Sequence, residues 1–110
     1  MQKSSLASLA IQHLEAARKS SAGRSALTVV GGQAHTLRQT LIALRAGAAL
    51  DEHENPGEAT VHVLAGRVRL ATHDTSSDGM AGDLLVVPDA RHSLTAIEDA
   101  AVLLTVAKLG

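Results

Sequence analysis

Residues 47–66, GAALDEHENPGEATVHVLAG, and residues 82–92, GDLLVVPDARH, decide the fold of this chain of 110 residues. The first stretch places His53 in an acidic segment that contains a turn signal, and it then continues as an apolar strand. The second stretch ends a buried strand at Pro88 and reaches His92 four residues later. We predict that the strands around the two stretches bring these two histidines together.

The rest of the chain after residue 24 consists of short apolar segments, many of them β-branched, separated by turn residues at intervals of about 8 to 12 residues. No second helical pattern is long enough to connect parallel strands, so the sheets should be antiparallel. Many short strands in a small chain indicate an all-β sandwich or barrel. The run 74–79 is predicted to be a mobile surface loop. Strands are predicted at residues 26–30, 35–45, 59–65, 67–73, 84–87, 92–97 and 101–107.

Residues 5–20 have the periodicity of an amphipathic helix. Residues 1–24 should therefore form one N-terminal helix that packs on the barrel or on a partner subunit, and residues 25–110 should form the barrel itself. His13 belongs to the apolar stripe, and we interpret it as a packed or interface residue. The stripe consists of Leu6, Leu9, Ala10, His13, Leu14 and Ala17.

Composition and charge limit the partners of the chain. Its content of 45% hydrophobic and 19% charged residues is ordinary for one globular domain. The formal net charge is −1 and no block of Lys and Arg is present, so neither nucleic acid nor a membrane is an expected partner. The run 100–107 is too short to span a bilayer and the N-terminal residues make a poor secretory signal, which favours a cytoplasmic location.

The chain contains no cysteine and no Phe, Tyr or Trp. Disulfides, thiolate ligands and a cysteine nucleophile are therefore excluded. The core has to be built from Leu, Val, Ile and Ala, since aromatic side chains are not available to fill it. No aromatic face is present on which a base, sugar or flavin ring could stack, and no tyrosine can act as an acid or a base.

The first stretch resembles the first signature motif of the cupin superfamily, G-x5-H-x-H-x3/4-E-x6-G. Gly47, His53 and Gly66 match the motif at the right spacing. Asn55 stands at the position of the second histidine, and Ala59 stands at the position of the glutamate.

The second stretch resembles the second cupin motif, which begins G-x5-P and ends in a histidine. Gly82, Pro88 and His92 match it, with a segment between proline and histidine that is one residue shorter than usual and carries Ala90 in place of glycine. The resemblance covers residues 37–107. It implies a small single-domain protein with a jelly-roll β-barrel, a pocket inside the barrel and, commonly, a homodimer.

Cupins often hold a divalent metal through the histidines and the glutamate of the two motifs. Carried over to this chain, that ligand set gives two imidazoles, His53 and His92, and a weak amide ligand, Asn55, while Ala59 cannot ligate. Neutral imidazole binds Zn, Fe, Mn or Ni, and water can fill the remaining positions. Two hypotheses remain open: a loosely held divalent metal, and a metal-free pocket in which the two histidines bind each other, water or a ligand.

Side chains alternate between the two faces of a strand, so residues an even number of positions apart share a face. This parity indicates further candidate site residues. Gln39 shares its parity with Leu41 and Ala43, which are expected to be buried, and we therefore predict that Gln39 lies in the pocket wall. His62 has the opposite parity to Ala59, so it should be a packing or dimer-interface residue rather than a ligand. Glu58 should also face away from the ligand positions unless a bulge shifts the register.

The sequence leaves three functional hypotheses. The first is a homodimeric binding module whose pocket, lined by His53, Asn55 and His92, holds a small polar ligand. The second is an enzyme with a loosely held metal at the same three residues. The third is a structural role in which the dimer is the functional unit. The fold alone does not separate them, because one fold hosts many activities.

Overall fold

The computed structural model describes residues 1–53 and 57–108, except for the side chains of Glu52 and His53. Within these residues the chain forms one helix and nine strands. The helix is α1, Leu6–Lys19. The strands are β1 Arg24–Val30, β2 Leu37–Leu44, β3 Ala49–His53, β4 Gly57–Ala65, β5 Arg67–Ala71, β6 Ser76–Met80, β7 Leu84–Val86, β8 His92–Ala96 and β9 Ala100–Lys108.

The strands form two antiparallel sheets. One has five strands in the order β1-β2-β9-β4-β7, and the other has four in the order β3-β8-β5-β6. Strand β9 is the centre of the larger sheet and pairs with β2 along one edge and with β4 along the other. The predicted all-β architecture of antiparallel strands with one N-terminal helix is confirmed.

The inner core lies between the two sheets and is aliphatic throughout. Side chains of β4 alternate between the two faces of the sheet. Ala59, Val61 and Val63 are buried in this core, whereas Glu58 is exposed on the opposite face. Leucine, valine, isoleucine and alanine fill the space that aromatic residues occupy in most cores. The buried members of the inner core are Ile42, Leu44, Ala59, Val61, Val63, Val68, Leu70, Val87, Leu94, Ala96, Ala100, Val102 and Val106.

Helix α1 packs on the outer face of the five-stranded sheet of its own chain. Ser5 caps it, with the side-chain oxygen accepting from the backbone N–H of Ser8 at 3.3 Å. Small residues of the stripe allow close approach to the sheet, and burial of Leu14 alone is worth about 2 kcal/mol. No helix among the described residues is long and apolar enough to cross a membrane. This outer core consists of Ala10, Leu14 and Ala17 of the helix with Leu41, Ala43, Ala101 and Leu103 of the sheet.

Charged side chains fix the end of the helix to the loops of the barrel. The Arg45 guanidinium donates to the carbonyl oxygens of Arg18 and Ser20, at 3.2 and 3.0 Å, and so satisfies acceptors that a helix leaves unpaired at its C-terminus. Asp99 accepts from Arg18 Nε at 2.7 Å and from the backbone N–H of Ala46 at 2.8 Å. The helix is therefore held by polar contacts at its end as well as by its apolar stripe.

Two strands were missed by the sequence patterns. Strand β3 lies within the first signature stretch, where acidic and turn residues hide it. The prediction of a mobile loop at residues 74–79 was wrong over β6, because Asp78 pairs with Arg69 across the β5–β6 ladder at 2.7 Å. Gly79 also has to be small there, since a Cβ would lie 3.1 Å from Leu85 and 3.2 Å from Val63.

The turn at Gly66, between β4 and β5, yields a stability prediction. Gly66 has φ 74°, and a Cβ at this position would collide with the carbonyl oxygen of Asp99. Gly66→Ala should therefore lower the free energy of unfolding by about 3 kcal/mol or more, because left-handed strain and a backbone collision act together. Urea denaturation followed by far-UV circular dichroism measures the loss.

Gly47 provides the matched control for Gly66. Its φ is 89°, but a Cβ there would meet no atom within 4 Å. Gly47→Ala should cost only the left-handed strain, about 1 to 2 kcal/mol. Equal losses for the two variants would contradict the role of the collision with Asp99.

Asp99 makes stability depend on pH in the acid range. The backbone N–H of Ala46, and after it Arg18, hold the pKa of the Asp99 carboxyl below its ordinary value. A lowered folded-state pKa stabilises the fold above the unfolded pKa of about 3.9, and this contribution is lost as the pH falls through the folded value. Asp99→Asn should thus be less stable than wild type at about pH 7, and the difference should shrink below about pH 4.

Urea denaturation across this pH range checks the prediction for Asp99. Asp89→Asn is the control, because Asp89 is an exposed carboxylate outside the helix–loop contact. A difference between Asp99→Asn and wild type that stays constant from neutral to acid pH would contradict the linkage.

Candidate functional site

A partly open cavity of about 20 Å³ lies in the inner core, and both sheets contribute to its wall. A volume of this size holds about one water molecule. Strands β2, β4 and β9 supply wall residues from the larger sheet, and β3 and β8 supply them from the smaller one. The wall consists of Ile42, Leu50, Val61, Val87, His92, Leu94 and Leu104.

His92 is the polar group of this wall. It begins β8 and is only 6% exposed. Among the side chains that the structure describes, it is the one polar or charged residue in the buried core. A buried imidazole surrounded by aliphatic side chains needs hydrogen-bond partners, since an unsatisfied polar group in such a place is costly.

The hydrogen bond of His92 fixes its tautomer. Nδ1 lies 2.9 Å from the carbonyl oxygen of Ala90. A carbonyl oxygen can only accept, so Nδ1 carries the hydrogen and Nε2 carries the lone pair of the neutral ring. The residue that replaces the family glycine, Ala90, thus orients the imidazole through its backbone.

The strand register brings His53 next to this residue. His53 is the last residue of β3 and pairs directly with His92 across the antiparallel β3–β8 ladder, after a register shift between Leu50 and His53. The prediction that the strands bring the two histidines together therefore holds for their backbones. The side chain of His53 and the whole of Asn55, the third predicted pocket residue, lie outside the described residues.

The position of the family glutamate is part of the core. Ala59 is 7% exposed and belongs to the inner core, where its methyl group packs among aliphatic side chains. Glu58 is exposed on the other face of β4, as its parity predicted. The described part of β4 therefore presents no carboxylate to the cavity.

The described side chains do not fit a resident divalent metal. A catalytic metal usually has three protein ligands with nitrogen, sulfur or oxygen donors. Within the ranges 1–51 and 57–108, no three His, Asp or Glu side chains come close enough to hold an ion. His92 is the single such donor in the cavity wall, and the other wall residues offer no lone pair.

Gln39 lies away from the cavity. Its Nε2 donates to Thr105 Oγ1 at 3.2 Å across the β2–β9 ladder. Gln39 shares its parity with Leu41 and Ala43, and these two residues are buried, as predicted. They are buried against helix α1, however, and not in the inner core. The inward residues of β2 are Ile42 and Leu44, so Gln39 is on the outer face of the sheet.

The other histidines lie at separate places on the molecule. His62 is half-buried on the outer face of β4, opposite to the face of Ala59 and Val61, as its parity predicted. His13 Nδ1 lies 2.7 Å from Ser25 Oγ, which joins the helix to β1.

The aliphatic wall of the cavity was not identified from the sequence as part of the site. Val61 and Leu94 could have been found from the alternation of their strands, because each shares parity with a motif position, Ala59 and His92 respectively. Leu50 could not, because β3 has no clear strand pattern. The histidine and carboxylate positions of the two motifs led to the prediction of a polar ligand, whereas the cavity itself is apolar.

Groups with shifted pKa lie on the outside of the sandwich. Arg69 lowers the pKa of the Asp78 carboxyl by hydrogen bonding, and Asp78 raises the pKa of the Arg69 guanidinium in turn. These two residues are on the surface of the four-stranded sheet, and Asp99 is at the end of the helix. None of the three lines the cavity.

Comparison with known proteins was informative at the level of structure. No family model matches the sequence, and no curated protein is similar to it. A conserved protein of unknown function from Streptococcus pyogenes, SPY1581, is 27% identical with a TM-score of 0.73; the match covers 83% of this chain and 79% of that one.

Two further structures carry the cupin name. A cupin superfamily protein from Desulfitobacterium hafniense has a TM-score of 0.67 at 20% identity, covering 77% of this chain and 79% of that one. An RmlC-like cupin from Desulfovibrio desulfuricans has a TM-score of 0.66 at 25% identity, covering 76% and 81%. The two antiparallel sheets are thus a jelly roll of the kind that these cupin structures have.

Proposed function

We propose that this cupin is a binding module whose cavity takes a small molecule with an apolar body and one hydrogen-bonding group. The observation that carries the proposal is the wall: six aliphatic side chains and one buried histidine, His92. His53 and Asn55, which precede β4, are proposed to complete the polar end of the site. The sequence predicted a small polar ligand, whereas the aliphatic wall supports a ligand with an apolar body.

Desolvation supports an apolar body. A hydroxyl or amide buried against an aliphatic wall without a partner costs about 1 to 3 kcal/mol, so a ligand with many hydroxyls is disfavoured. Each buried CH₂ contributes about 0.8 kcal/mol. The polar group of the ligand is proposed to contact the imidazole of His92, the polar side chain of the cavity wall.

The size of the cavity restricts the body to a short one. About 20 Å³ is filled by roughly one water molecule, and a longer body has to displace side chains of the wall. Leu104 is the wall residue to shorten in a test, since it is half-buried and lies on the inner face of β9.

A series of n-alkyl alcohols from ethanol to hexanol, with glucose as the polyhydroxyl comparison, tests the ligand class. Affinity should rise about fourfold per added CH₂ until the cavity is full, because each group contributes about 0.8 kcal/mol. Leu104→Ala should shift this limit to longer chains, and His92→Leu should weaken the binding of every alcohol in the series, because it removes the polar contact of the hydroxyl. Titrations followed by amide NMR measure both affinity and location.

Leu103→Ala is the matched control for Leu104→Ala. Leu103 is the preceding residue of β9, but its side chain is buried against the helix. Leu103→Ala should lower the free energy of unfolding to a similar degree as Leu104→Ala. The longest alkyl chain that the cavity binds should not change. Binding of glucose in the cavity without binding of the alkyl alcohols would contradict the ligand class. Failure of every compound to perturb the cavity residues would contradict the binding function itself.

A metal-dependent enzyme is the second candidate, and the direct pairing of His53 with His92 favours it. Opposed residues in antiparallel strands generally have Cβ atoms about 5 Å apart, which suits two ligands of one ion. Asn55 would be a third, weak ligand, and Zn, Fe, Mn or Ni are the suitable ions.

Metal analysis of untagged protein, grown with these four metals and dialysed, separates the two candidates. The binding module predicts far less than one metal ion per chain. The matched variant is His53→Ala/His92→Ala. If the bound metal is adventitious, this double variant should contain as much metal as the wild type. Near-stoichiometric metal that disappears in this double variant would contradict the metal-free pocket.

A further inference from the structure

Two cationic side chains share the inner face of the five-stranded sheet with the cavity. Strands β2, β9 and β4 pair without a register shift over this part of the sheet, so their side chains alternate regularly between the two faces. Arg38 is four residues from Ile42 on β2, and Lys108 is four residues from Leu104 on β9. Because Ile42 and Leu104 line the cavity, Arg38 and Lys108, which we call the cationic pair, lie on the same face.

The two members of the cationic pair are neighbours on this face. Arg38 pairs with Val106 across the β2–β9 ladder, and Lys108 is the next residue of β9 with the parity of Val106. Side chains in this diagonal relation are about 7 to 8 Å apart. Among the residues that the structure describes, neither cation forms a salt bridge. Two like charges at this separation repel each other, so an anion between them is stabilising.

Small residues leave space beside the cationic pair. On β4, Gly57 pairs with Lys108, and Ala59 is the next residue on the inner face. On the side of β1, Gly31 lies next to Arg38, where a Cβ would be 3.5 Å from Arg38 Cγ. Arg38 is exposed and Lys108 is half-buried, so an anion can reach both cations from solvent.

The inner face changes from apolar to charged along these two strands. On β2, the buried wall residue Ile42 is followed by half-buried Thr40 and then by exposed Arg38. On β9, the aliphatic side chains of this face end before Lys108. Thr40 pairs with Leu104 of the wall, and Arg38 is one inner-face position, about 6.6 Å, farther along the strand. A ligand with an apolar body and an anionic end matches this order.

The polar side chain of the cavity wall lies at the same end of the barrel. His92 pairs with His53, and Lys108 pairs with Gly57. The Cα atoms of His53 and Gly57 are at most about 14 Å apart, because four peptide units join them. A head group that contacts the imidazole of His92 is therefore on the side of the cavity that faces the cationic pair.

We propose that the cationic pair binds the carboxylate of a ligand whose apolar body occupies the cavity. This inference rests on the proposed binding function and specifies its polar group. The guanidinium of Arg38 presents a planar fork that matches the two oxygens of a carboxylate, and the ammonium of Lys108 adds a second positive charge. A neutral head group supplies no counter-charge, so the site distinguishes an alkyl carboxylate from the alcohol of the same length.

Amide NMR titrations with hexanoate and 1-hexanol at about pH 8, where a carboxylic acid is ionised, test the proposal. Hexanoate should bind about tenfold more tightly than 1-hexanol at low salt, and the preference should shrink at about 0.5 M salt because ions screen exposed charges. Arg38→Gln and Lys108→Gln should each lower the affinity for hexanoate about threefold, and the double variant should lose the preference. None of these variants should change the affinity for 1-hexanol.

Lys19→Gln is the matched control, because it removes the same charge from the helix on the outer face, where the Lys19 side chain is 77% exposed. An equal loss of hexanoate affinity in this control would overturn a local contact with the cationic pair. Binding of 1-hexanol in the cavity without a preference for hexanoate, or a preference that survives in the double variant, would overturn the carboxylate site and leave the proposed binding function intact. Failure of both compounds to perturb the cavity residues would overturn both proposals.

Discussion

Strand β9 is buried on both of its faces, and the rest of the structure depends on how those faces are covered. Val102 and Val106 project into the inner core between the sheets, while Ala101 and Leu103 project outward to the helix. A chain without aromatic residues has to bury many small aliphatic side chains instead, and a central strand covered on both sides contributes one at nearly every position. Helix α1 is therefore part of the core rather than an appendage. This requirement also explains why Arg45 and Asp99 hold the end of the helix so closely.

The functional cavity is a continuation of the inner core. Residues of β2, β4 and β9 that fill the sandwich also form the wall beside His92. Ala59, which stands at the glutamate position of the cupin motif that this stretch resembles, extends that aliphatic surface. The remaining polarity is concentrated in one imidazole, whose orientation is fixed by the carbonyl of Ala90. This arrangement is the basis of the proposed ligand class, an apolar molecule with one polar group.

The two faces of the five-stranded sheet have different chemical roles. Its inner face supplies the core and the cavity, and part of its outer face is covered by the helix. Because side chains alternate along a strand, Val61 and His62 belong to these different roles although they are neighbours in sequence. The cavity and the outer surface of the sheet are thus separated by the thickness of one sheet, so that a substitution on one face can leave the other face unchanged.

The sequence by itself determined the fold class, the helix and the positions of the two motif histidines. Turn residues, alternation and motif spacing are local properties, and they were sufficient for these conclusions. The burial of Leu41 and Ala43, which share the parity of Gln39, was also predicted correctly. Alternation does not say, however, which of the two buried faces of a strand points to the inner core. Only the packing of Leu41 against the helix shows that this face of β2 is the outer one. Strand β3 depends on pairing with β8, which lies far along the chain, and β6 depends on pairing with its neighbour β5 through Arg69 and Asp78; local propensity encodes neither. The apolar character of the cavity likewise arises from seven residues that are far apart in the chain, and only the tertiary structure brings them together.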